Sequence, residues 1–375
     1  MIVGVPKETI PGERRVALVP DVAGKLATGG FEVVVERGAG AGAAFTDDAY
    51  AAAGVRLADG PTVWQTADVV LRVQRLGPGE PGRLREGGAV IGMLYPFTSA
   101  DTVRTLASRR VTSFSLDLLP RITRAQPMDA LSAMSTVSGY KAVLLAASAT
   151  PRFFPMLVTA AGTIAPARVL ILGAGVAGLQ AIATARRLGA VVQAFDVRPA
   201  AREQVESLGA TFIAAEAGIE AEGSGGYARQ LSADQHQKEL ELIHQHVRDV
   251  DVVISTALIP GKPAPELITE EMVHDMKAGS VIVDLAAEAG GNCRLTRPGE
   301  DVVRNGVTIL GPLNLPASLP GHASQMYSRN ISAFLQHVAK GGAFAFDFQD
   351  EITKGTCVTH DGRVVHDAVR GAIDT

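Results

Sequence analysis

The sequence has few cysteines, few aromatic residues and no long block of charge of one sign. Its two cysteines, Cys293 and Cys357, cannot supply a framework of several disulfides, so we expect a reducing compartment. The net formal charge is −4 without a run of like charges, which argues against nucleic-acid binding and against a polybasic membrane anchor. With one Trp and five Tyr, an aromatic-rich binding surface is not expected.

The sequence also lacks the signatures of secretion and of membrane insertion. Its N-terminus, MIVGVPKET, has no basic segment followed by an apolar one, so no secretory signal is expected. A long uncharged and apolar run, residues 169–185, has 17 residues and contains three glycines, which favours a strand, a turn and a helix. A membrane span normally needs about 20 predominantly apolar residues. We therefore expect a chain that does not cross a membrane by itself.

The sequence is instead rich in apolar residues that follow a regular pattern. Its 375 residues, 47% of them apolar, suffice for two domains with buried cores. Predicted strands alternate with predicted helices, which indicates parallel sheets. Strands are predicted at residues 1–5, 31–36, 69–73, 89–94, 169–172, 191–195, 252–256 and 281–285. Helices are predicted at residues 21–28, 47–53, 101–108, 176–188 and 331–339.

The predicted fold class is α/β, with two Rossmann-like domains, parallel sheets and a cleft between the domains. We place the first domain at residues 1–130 plus 317–375 and the second at residues 131–316. The tail lacks room for a third domain, and its Asp361-Gly362 pair is a hairpin signal. We expect the tail to pack back on the first domain.

One helix of the second domain carries clear signals at both ends. Thr269 can cap it, and the acidic residues that follow suit its positive N-terminal end. Lys277 suits its last turn and Gly279 can end it. A helix from residue 270 to about residue 278 is therefore predicted.

The glycine-rich motif Gly173-Ala174-Gly175-Val176-Ala177-Gly178 is the strongest chemical signal in the sequence. It follows a predicted strand and opens a predicted helix, which is the context of a dinucleotide-binding turn. Gly173 permits the tight turn, Gly175 lets the backbone approach a pyrophosphate, and Gly178 lets helix and strand pack closely. The pyrophosphate would meet the N–H groups of the first helical turn, where Val176 and Ala177 lie. The alternative is a glycine turn in a flavodoxin-like sheet that binds no ligand.

Asp196 ends the next predicted strand, 18 residues past the last glycine. Its carboxylate is expected to accept hydrogen bonds from the adenosine ribose hydroxyls and to repel a 2′-phosphate, which favours NAD over NADP. Arg198 points the other way, because a nearby Arg can accommodate that phosphate. It could also be a solvated surface charge or a contact to the adenine face. We give Asp196 more weight because it occupies the strand end.

Groups for acid–base catalysis are scarce in the first 130 residues. A dehydrogenase that reduces a carbonyl or an imine needs a proton donor or base beside the hydride acceptor, most often a His. All eight His lie at or beyond residue 236, and Lys7 and Lys25 are the only lysines before residue 130. An Asp or Glu could still serve as the acid or base. The Cys and His spacing indicates no metal site.

Two polar segments stand out from their apolar surroundings. Residues 120–129 read PRITRAQPMD, with Ser132 just after, and by pattern alone this segment could be a surface loop that joins the domains. Residues 222–227 read EGSGGY, which suits a mobile lid whose Tyr227 folds over a ligand. By pattern alone the second segment could equally be a disordered loop.

With these residues together, the chain resembles domain I of proton-translocating NAD(P) transhydrogenase, within the alanine dehydrogenase/transhydrogenase superfamily. The resemblance covers nearly the whole chain and includes specific motifs. These are VPKETIPGERRVALVP at residues 5–20, PRITRAQPMDALS at 120–132, GAGVAGLQAIATARRLGA at 173–190, ESLGA at 206–210, GGYA at 225–228, TALIPGKPAP at 256–265 and VIVDLAAEAGGNC at 281–293.

The resemblance implies roles for particular residues. It places Arg121, Gln126 and Asp129, with Ser132 alongside, at the nicotinamide end of the site as catalytic residues. Pro127 stands where serine looks commoner in the family, so the loop backbone is expected to be stiffer. The implied cofactor-binding residues are Gly173, Gly175, Val176, Ala177, Gly178, Asp196, Val197, Arg198, Gly226, Tyr227 and Leu258.

The main alternative is a stand-alone amino-acid dehydrogenase of the alanine dehydrogenase type, which shares the PGERRVAL-like opening with Arg15. The catalytic His of that enzyme would fall in residues 93–97, which contain none, and its catalytic Asp after VIVD is Glu288 here. Direct hydride transfer between two nicotinamides creates no alkoxide or amine and needs no general acid. Both departures therefore fit a transhydrogenase. A nucleotide-sensing protein without chemistry is a third possibility.

The resemblance also implies partners. This chain would bind NAD(H), and a partner subunit would bind NADP(H). Because the chain ends at Thr375, about where the domain does, membrane-spanning subunits are expected as separate polypeptides. We expect a homodimer in the cytoplasm, peripheral on the inner face of the cytoplasmic membrane through its partners.

Overall fold

The computed structural model of the chain describes residues 1–214, 231–259 and 263–373. The chain divides into two compact units, one of Met1–Met134 with Pro316–Thr375 and one of Ser135–Leu315. Each unit contains one large, mostly parallel sheet. The α/β class with parallel sheets in two units is thereby confirmed. The limits of independently folding domains, near residues 130 and 317, stay a prediction.

The strands and helices follow one another along the chain as the alternating pattern predicts. The strands are β1 Ile2–Val5, β2 Glu32–Glu36, β3 Arg56–Ala58, β4 Val69–Leu71, β5 Ala89–Gly92, β6 Thr112–Ser115, β7 Leu157–Thr159, β8 Gly162–Ile164, β9 Arg168–Leu172, β10 Val191–Phe195, β11 Thr211–Ile213, β12 Val252–Ser255, β13 Val281–Asp284, β14 Asp301–Arg304, β15 Val307–Leu310, β16 Ala339–Lys340, β17 Ala343–Phe344, β18 Cys357–His360 and β19 Arg363–Val364. The α-helices are α1 Pro20–Thr28, α2 Asp47–Ala52, α3 Gly60–Thr66, α4 Ala100–Ser108, α5 Ala130–Ala149, α6 Val176–Arg187, α7 Ala201–Ser207, α8 Ala233–Val247, α9 Glu270–Asp275, α10 Pro320–Val338, α11 Glu351–Thr356 and α12 Asp367–Ile373.

The sheet of the first unit has the order β19-β18-β6-β5-β4-β1-β2-β3. Its strands from β6 to β3 are parallel, whereas β18 and β19 from the tail join antiparallel. Thr359 pairs with Val364 across the tail hairpin. Asp361 and Gly362 between these strands have φ of +44° and +81°. A two-residue turn in which both residues have positive φ is a type I′ turn, whose twist matches that of the flanking strands. The predicted hairpin is therefore confirmed.

The sheet of the second unit has the order β11-β10-β9-β12-β13-β15-β14, and all its strands except β14 run parallel. The chain moves outward from β9 through β10 to β11, then returns to the other side of β9 with β12. The strand order therefore reverses between β9 and β12. Parallel α/β sheets bind ligands outside the carboxyl ends of the strands at such a point.

The sheet of the second unit is buried on both faces, which explains why its strands are continuous apolar runs. Val169 and Ile171 of β9 pack into one core with Val252 and Ile254 of β12. Their neighbours in sequence, such as Leu170, face the other core. This alternation has a period of two residues, as side chains on a strand require.

Two predicted helices have clearly different bounds in the structure. The helix after Thr269 ends at Asp275, because Met276 adopts an extended conformation and buries its side chain in the core. Lys277 therefore lies outside the helix, and its Nζ donates to the backbone of Asp249. The helix predicted at residues 331–339 begins earlier, at Pro320, a residue suited to the first helical turn.

Helix α5, a 20-residue helix, is missing from the sequence prediction. Its apolar and polar residues are mixed around the circumference and form no apolar stripe on one face, so the sequence shows no helical periodicity. Of the helices in the described part of the chain, α5 alone has the length and apolar composition of a membrane span, and 44% of its apolar window is buried. Core helices pass the same test, so length and composition alone do not indicate a span.

The tight crossing of α5 and α6 predicts the effect of one substitution. A Cβ at Gly139 would lie 2.1 Å from the carbonyl oxygen of Ala177, so Gly139→Ala must push the helices apart. We expect a loss of about 1–3 kcal/mol in the free energy of unfolding, typical of overpacking. The measurement is urea unfolding followed by circular dichroism.

Gly371→Ala is the matched control. Gly371 lies in α12 and a Cβ there meets nothing within 4 Å. We expect this substitution to leave the free energy of unfolding unchanged or to raise it by up to about 1 kcal/mol, as Ala favours a helix. Equal effects of the two substitutions would contradict the close crossing.

Candidate functional site

The glycine-rich turn joins β9 to α6 at the point where the strand order reverses. Gly173 has a φ of +93°, which favours glycine, and a Cβ there would lie 2.8 Å from the Oγ1 of Thr256. A Cβ at Gly178 would lie 1.9 Å from the carbonyl oxygen of Gly173, so helix and turn touch directly. These two glycines are required by the internal packing of the turn.

Gly175 has a different surrounding, because a Cβ placed there meets nothing within 4 Å. Its small size is therefore not explained by contacts within the described residues, and it leaves space beside the N-terminus of α6. Gly175 is the N-cap of α6 and has no side-chain cap among these residues. The backbone N–H groups of the first turn of α6 therefore border open space, and they form the positive end of the helix dipole. In this turn Val176 is exposed and Ala177 is partly buried. This arrangement fits an anionic ligand such as a pyrophosphate.

Asp196 lies directly after β10, with its side chain 6% exposed. The backbone N–H of Ala174 in the glycine turn donates to its Oδ2 at 2.7 Å. The carboxylate therefore sits beside the turn, at the carboxyl end of the neighbouring strand. A carboxylate here fits the hydroxyl groups of a ribose whose phosphates lie on the helix N-terminus.

Arg198 forms an ion pair with Asp196. Its Nε donates to Oδ1 at 2.8 Å and its Nη2 donates to Oδ2 at 2.7 Å, so the planar guanidinium and the carboxylate meet through two parallel bonds. The intervening Val197 packs partly buried against the core. The charge of Arg198 is thus compensated by Asp196 in this structure, which the sequence could not indicate.

Two buried polar residues that the sequence reasoning missed hold the neighbouring strand ends together. Asp284, at the end of β13, accepts hydrogen bonds at Oδ1 from Ser255 and Ala286 at 3.1 and 3.0 Å. Its Oδ2 accepts from the backbone of Cys293 at 3.0 Å and from Thr296 at 2.7 Å. This fully bonded carboxylate fixes the loop that follows β13 to the end of β12.

Asn292 is the second of these residues. Its Nδ2 donates to the carbonyl oxygens of Ala257 at 2.9 Å and Pro265 at 2.8 Å, and its Oδ1 accepts from the N–H of Ala257 at 3.2 Å. These bonds fix both ends of the segment that contains Leu258, which is 48% exposed. Asn292 lies in the quoted motif VIVDLAAEAGGNC, but its role depends on contacts far along the chain.

The predicted residues of the polar 120–132 segment lie together in the first unit. Arg121 and Gln126 are exposed, and Asp129 precedes α5. Asp129 accepts hydrogen bonds from the backbone N–H and the Oγ of Ser132, at 2.8 and 2.6 Å. It therefore acts as the N-cap of α5, a structural role beside any chemical one.

The backbone of this segment is held by the tail of the first unit. Residues Thr123–Met128 form a 3-10 helix that contains Pro127. The carbonyl oxygen of Pro127 accepts a hydrogen bond from Asn330 of α10 at 2.8 Å. The Nη2 of Arg124 donates to Asp350 at 2.9 Å. The segment is thus an ordered element and not a loose connection.

The remaining predicted residues, Gly226 and Tyr227, lie outside the described residues. Within the second unit the structure brings together the glycine turn, Asp196 and Arg198. Thr256, two residues before Leu258, also contacts the turn through a hydrogen bond from its Oγ1 to the carbonyl oxygen of Gly173 at 3.0 Å.

The alternative of an amino-acid dehydrogenase concerns three positions, of which Arg15 does not discriminate because both kinds of enzyme share the motif that contains it. Arg15 is buried and its guanidinium is bound by the Glu13 carboxylate through bonds of 2.8 and 2.6 Å. Tyr95 lies in the segment where that enzyme would have its catalytic His, in a left-handed conformation with φ of +47°. Glu288 accepts a hydrogen bond from the backbone of Asn314 at 2.6 Å.

Comparison with protein families matches nearly the whole chain. Residues 4–138 match "Alanine dehydrogenase/PNT, N-terminal domain" and residues 142–367 match "Alanine dehydrogenase/PNT, C-terminal domain". The second match extends well into the C-terminal tail.

Individual relatives distinguish the two branches of the family. The chain is 50% identical to an NAD(P) transhydrogenase alpha subunit of Rhodospirillum rubrum over 381 aligned positions, which cover 99% of each chain. A solved transhydrogenase structure from Sinorhizobium meliloti has a TM-score of 0.89 and 45% identity, covering 97% of this chain and 100% of its own. Alanine dehydrogenase of Mycolicibacterium smegmatis is 29% identical over 100% of this chain and 97% of its own.

Proposed function

The chain belongs to the alanine dehydrogenase/PNT family, and from this premise we propose that it is the NAD(H)-binding component of a proton-translocating NAD(P) transhydrogenase. The observation that carries the choice within the family is the identity of 50% to a transhydrogenase subunit over the full chain, against 29% to an alanine dehydrogenase. The segment after β5 supports it, because it has Tyr95 and no His to protonate a substrate.

The proposed cofactor of this chain is NAD(H), which gives or takes a hydride when bound. The space at Gly175 and the N-terminus of α6 suit its pyrophosphate, and Asp196 suits the hydroxyls of its adenosine ribose. The buried negative charge of Asp196 would repel a 2′-phosphate. These features support NAD(H) over NADP(H) for the second unit.

We further propose that Arg121, Gln126, Asp129 and Ser132 act at the nicotinamide end of NAD(H). The ordered 3-10 helix and the Asp129 cap support this role, because transfer between two nicotinamides requires groups that hold a fixed geometry. The chain needs only to position the ring and to exclude water. Gly226, Tyr227 and Leu258 are proposed as further cofactor contacts.

The proposed partners are an NADP(H)-binding subunit and membrane-spanning subunits that translocate protons. The Rhodospirillum rubrum relative is named as one subunit of a transhydrogenase, which supports an assembly of several chains. The G-x-G-x-x-G spacing also occurs at residues 77–82, but there it leads into the short 3-10 helix Pro81–Arg83 and does not open an α-helix. The turn after β9 is the one with the full context of a dinucleotide fingerprint, which supports a second nicotinamide held by a partner. We propose a cytoplasmic location, peripheral on the inner face of the cytoplasmic membrane through these partners.

We also propose that the chain forms a homodimer. The hairpin of β7 and β8 and the residues around it expose several apolar side chains, including Met156, Val158 and Ile164. Val158 is 76% exposed. Several large apolar side chains exposed on one short hairpin favour a protein interface.

An assay of hydride transfer tests the proposed activity. We expect the isolated chain to show no alanine-dependent reduction of NAD, because residues 93–97 hold no His in the place of the dehydrogenase His. With the NADP(H)-binding and membrane partners added, NADPH should reduce an NAD analogue. Alanine-dependent turnover by the chain alone at about 1–1000 per second would instead establish a dehydrogenase.

The substitution Asp129→Asn tests the positioning role of the 120–132 segment. Asn can still accept the bond from Ser132 that caps α5, so the fold should be retained. We expect single-turnover hydride transfer in the reconstituted complex to slow by about one to two orders of magnitude, because geometry at the reacting carbon suffers. Affinity for NADH should stay within about one order of magnitude. Asp101→Asn is the control, because Asp101 is an exposed residue of α4. Equal rates for the two variants would reject the positioning role of Asp129.

Val158→Glu tests the dimer. A charge placed in an apolar interface is desolvated without a partner, so we expect the dimer dissociation constant to rise by about tenfold or more in sedimentation equilibrium. Val303→Glu is the control, because Val303 is 59% exposed on β14 away from the hairpin. Wild-type behaviour of Val158→Glu, or dissociation of both variants, would contradict this interface.

A further inference from the structure

The Asp196 carboxylate accepts four hydrogen bonds in this structure. Its Oδ1 accepts from the backbone N–H and the Nε of Arg198, at 2.9 and 2.8 Å. Its Oδ2 accepts from the N–H of Ala174 and the Nη2 of Arg198, both at 2.7 Å. An ionised carboxylate offers about four acceptor positions. No position is therefore left for the hydroxyl groups of a ribose.

The four bonds differ in how readily they can be given up. Two come from backbone N–H groups, which the glycine turn and the end of β10 hold in place. The other two come from the guanidinium of Arg198, at the end of a long side chain that is 20% exposed. Only this guanidinium can leave Asp196 without a change in the backbone.

We propose that Arg198 is a specificity-determining residue that must release Asp196 before the adenosine ribose can bind there. This inference rests on the proposed NAD(H) site. A 2′-hydroxyl is a hydrogen-bond donor, so it can replace a guanidinium nitrogen on the carboxylate. A dianionic 2′-phosphate has no hydrogen to donate and cannot make the exchange. This exchange of the guanidinium for a hydroxyl is thus open to NAD(H) alone, and the Asp196 carboxylate that it uncovers repels the 2′-phosphate of NADP(H).

The surroundings of Asp196 strengthen this discrimination. Glu239 of α8 is buried, and His236 of the same helix lies 2.9 Å from its Oε2. Burial raises the pKa of Glu239 above its ordinary value, the hydrogen bond with His236 opposes that rise, and the charge of Asp196 adds to it. Asp196 and Glu239 therefore interact electrostatically, with Arg198 and His236 as their cationic or hydrogen-bonding partners. A 2′-phosphate would add negative charge beside Asp196, where Glu239 already supplies a second carboxyl group.

The ion pair with Asp196 explains why Arg198 is compatible with a site that selects against a 2′-phosphate. In this structure the guanidinium is bonded to Asp196, so its charge is already compensated and is not available to a 2′-phosphate. If a phosphate drew it away, Asp196 would remain charged and unpaired beside the new anion. Arg198 cannot compensate both groups at once.

Calorimetry with NADH and NADPH on Arg198→Met tests the proposal. Removal of the guanidinium frees Asp196, so we expect NADH to bind about threefold or more tightly and the ratio of the NADPH to the NADH dissociation constant to widen by about tenfold. Arg202→Met is the matched control on α7, four residues further, and should leave both constants within about twofold. Weaker NADH binding by Arg198→Met, or an unchanged ratio, would overturn the exchange.

A spectroscopic measurement detects the exchange in the wild-type chain. The Nε–H resonance of Arg198, assigned by its loss in Arg198→Lys, should shift when AMP supplies the adenosine half of the ligand. Nicotinamide mononucleotide, which lacks that half, should leave the resonance in place. An Nε–H resonance unmoved by saturating AMP would overturn the proposal.

The affinities of the wild type and of Arg198→Met for NADH and NADPH separate the exchange from the proposed NAD(H) assignment. Wild-type affinity that is equal for NADH and NADPH would overturn both the NAD(H) assignment and the exchange. A wild-type preference for NADH, with Arg198→Met unchanged, would overturn the exchange alone.

Discussion

The close approach of α6 to the end of β9 is the constraint on which the rest of the candidate site depends. Gly178 brings the first turn of the helix against the carbonyl oxygen of Gly173, and Gly139 lets α5 lie against Ala177 from another side. The N-terminus of α6 is thus fixed from two directions, while the space at Gly175 stays open. Rigid placement of N–H groups before a ligand arrives lowers the entropy that binding must supply.

Bonded carboxylates extend this fixed geometry to the neighbouring strand ends. Asp196 ties the end of β10 to the glycine turn, and Asp284 ties the loop after β13 to the end of β12. Each accepts four hydrogen bonds, but only Asp196 receives two of them from a side chain that can leave. Asp284 is therefore part of the scaffold, whereas Asp196 can also serve a ligand. The same residue type has two roles because its donors differ.

The sequence predicts those parts of the molecule that depend on neighbours in sequence. The strand, turn and helix from β9 to β10 follow from apolar runs and glycine spacing, and the Asp361-Gly362 hairpin follows from turn chemistry. Helix α5 is not predicted because its apolar residues form no stripe on one face. Helix α9 is shorter than predicted because Met276 is extended and buries its side chain in the core. The role of Asn292 depends on where other loops lie, and a single sequence carries no signal for that. Arg198 pairs with a residue only two positions away, but this depends on the orientation of its side chain, which the strand and turn pattern does not indicate.

The most direct measurement is a crystal structure of the chain with NADH bound. The account predicts the pyrophosphate within about 3 Å of N–H groups in the first turn of α6, and an adenosine ribose hydroxyl in place of the Arg198 guanidinium on Asp196. The nicotinamide should lie against the segment that contains Asp129. A dinucleotide bound elsewhere, or one whose adenosine ribose makes no contact with Asp196, would contradict the account.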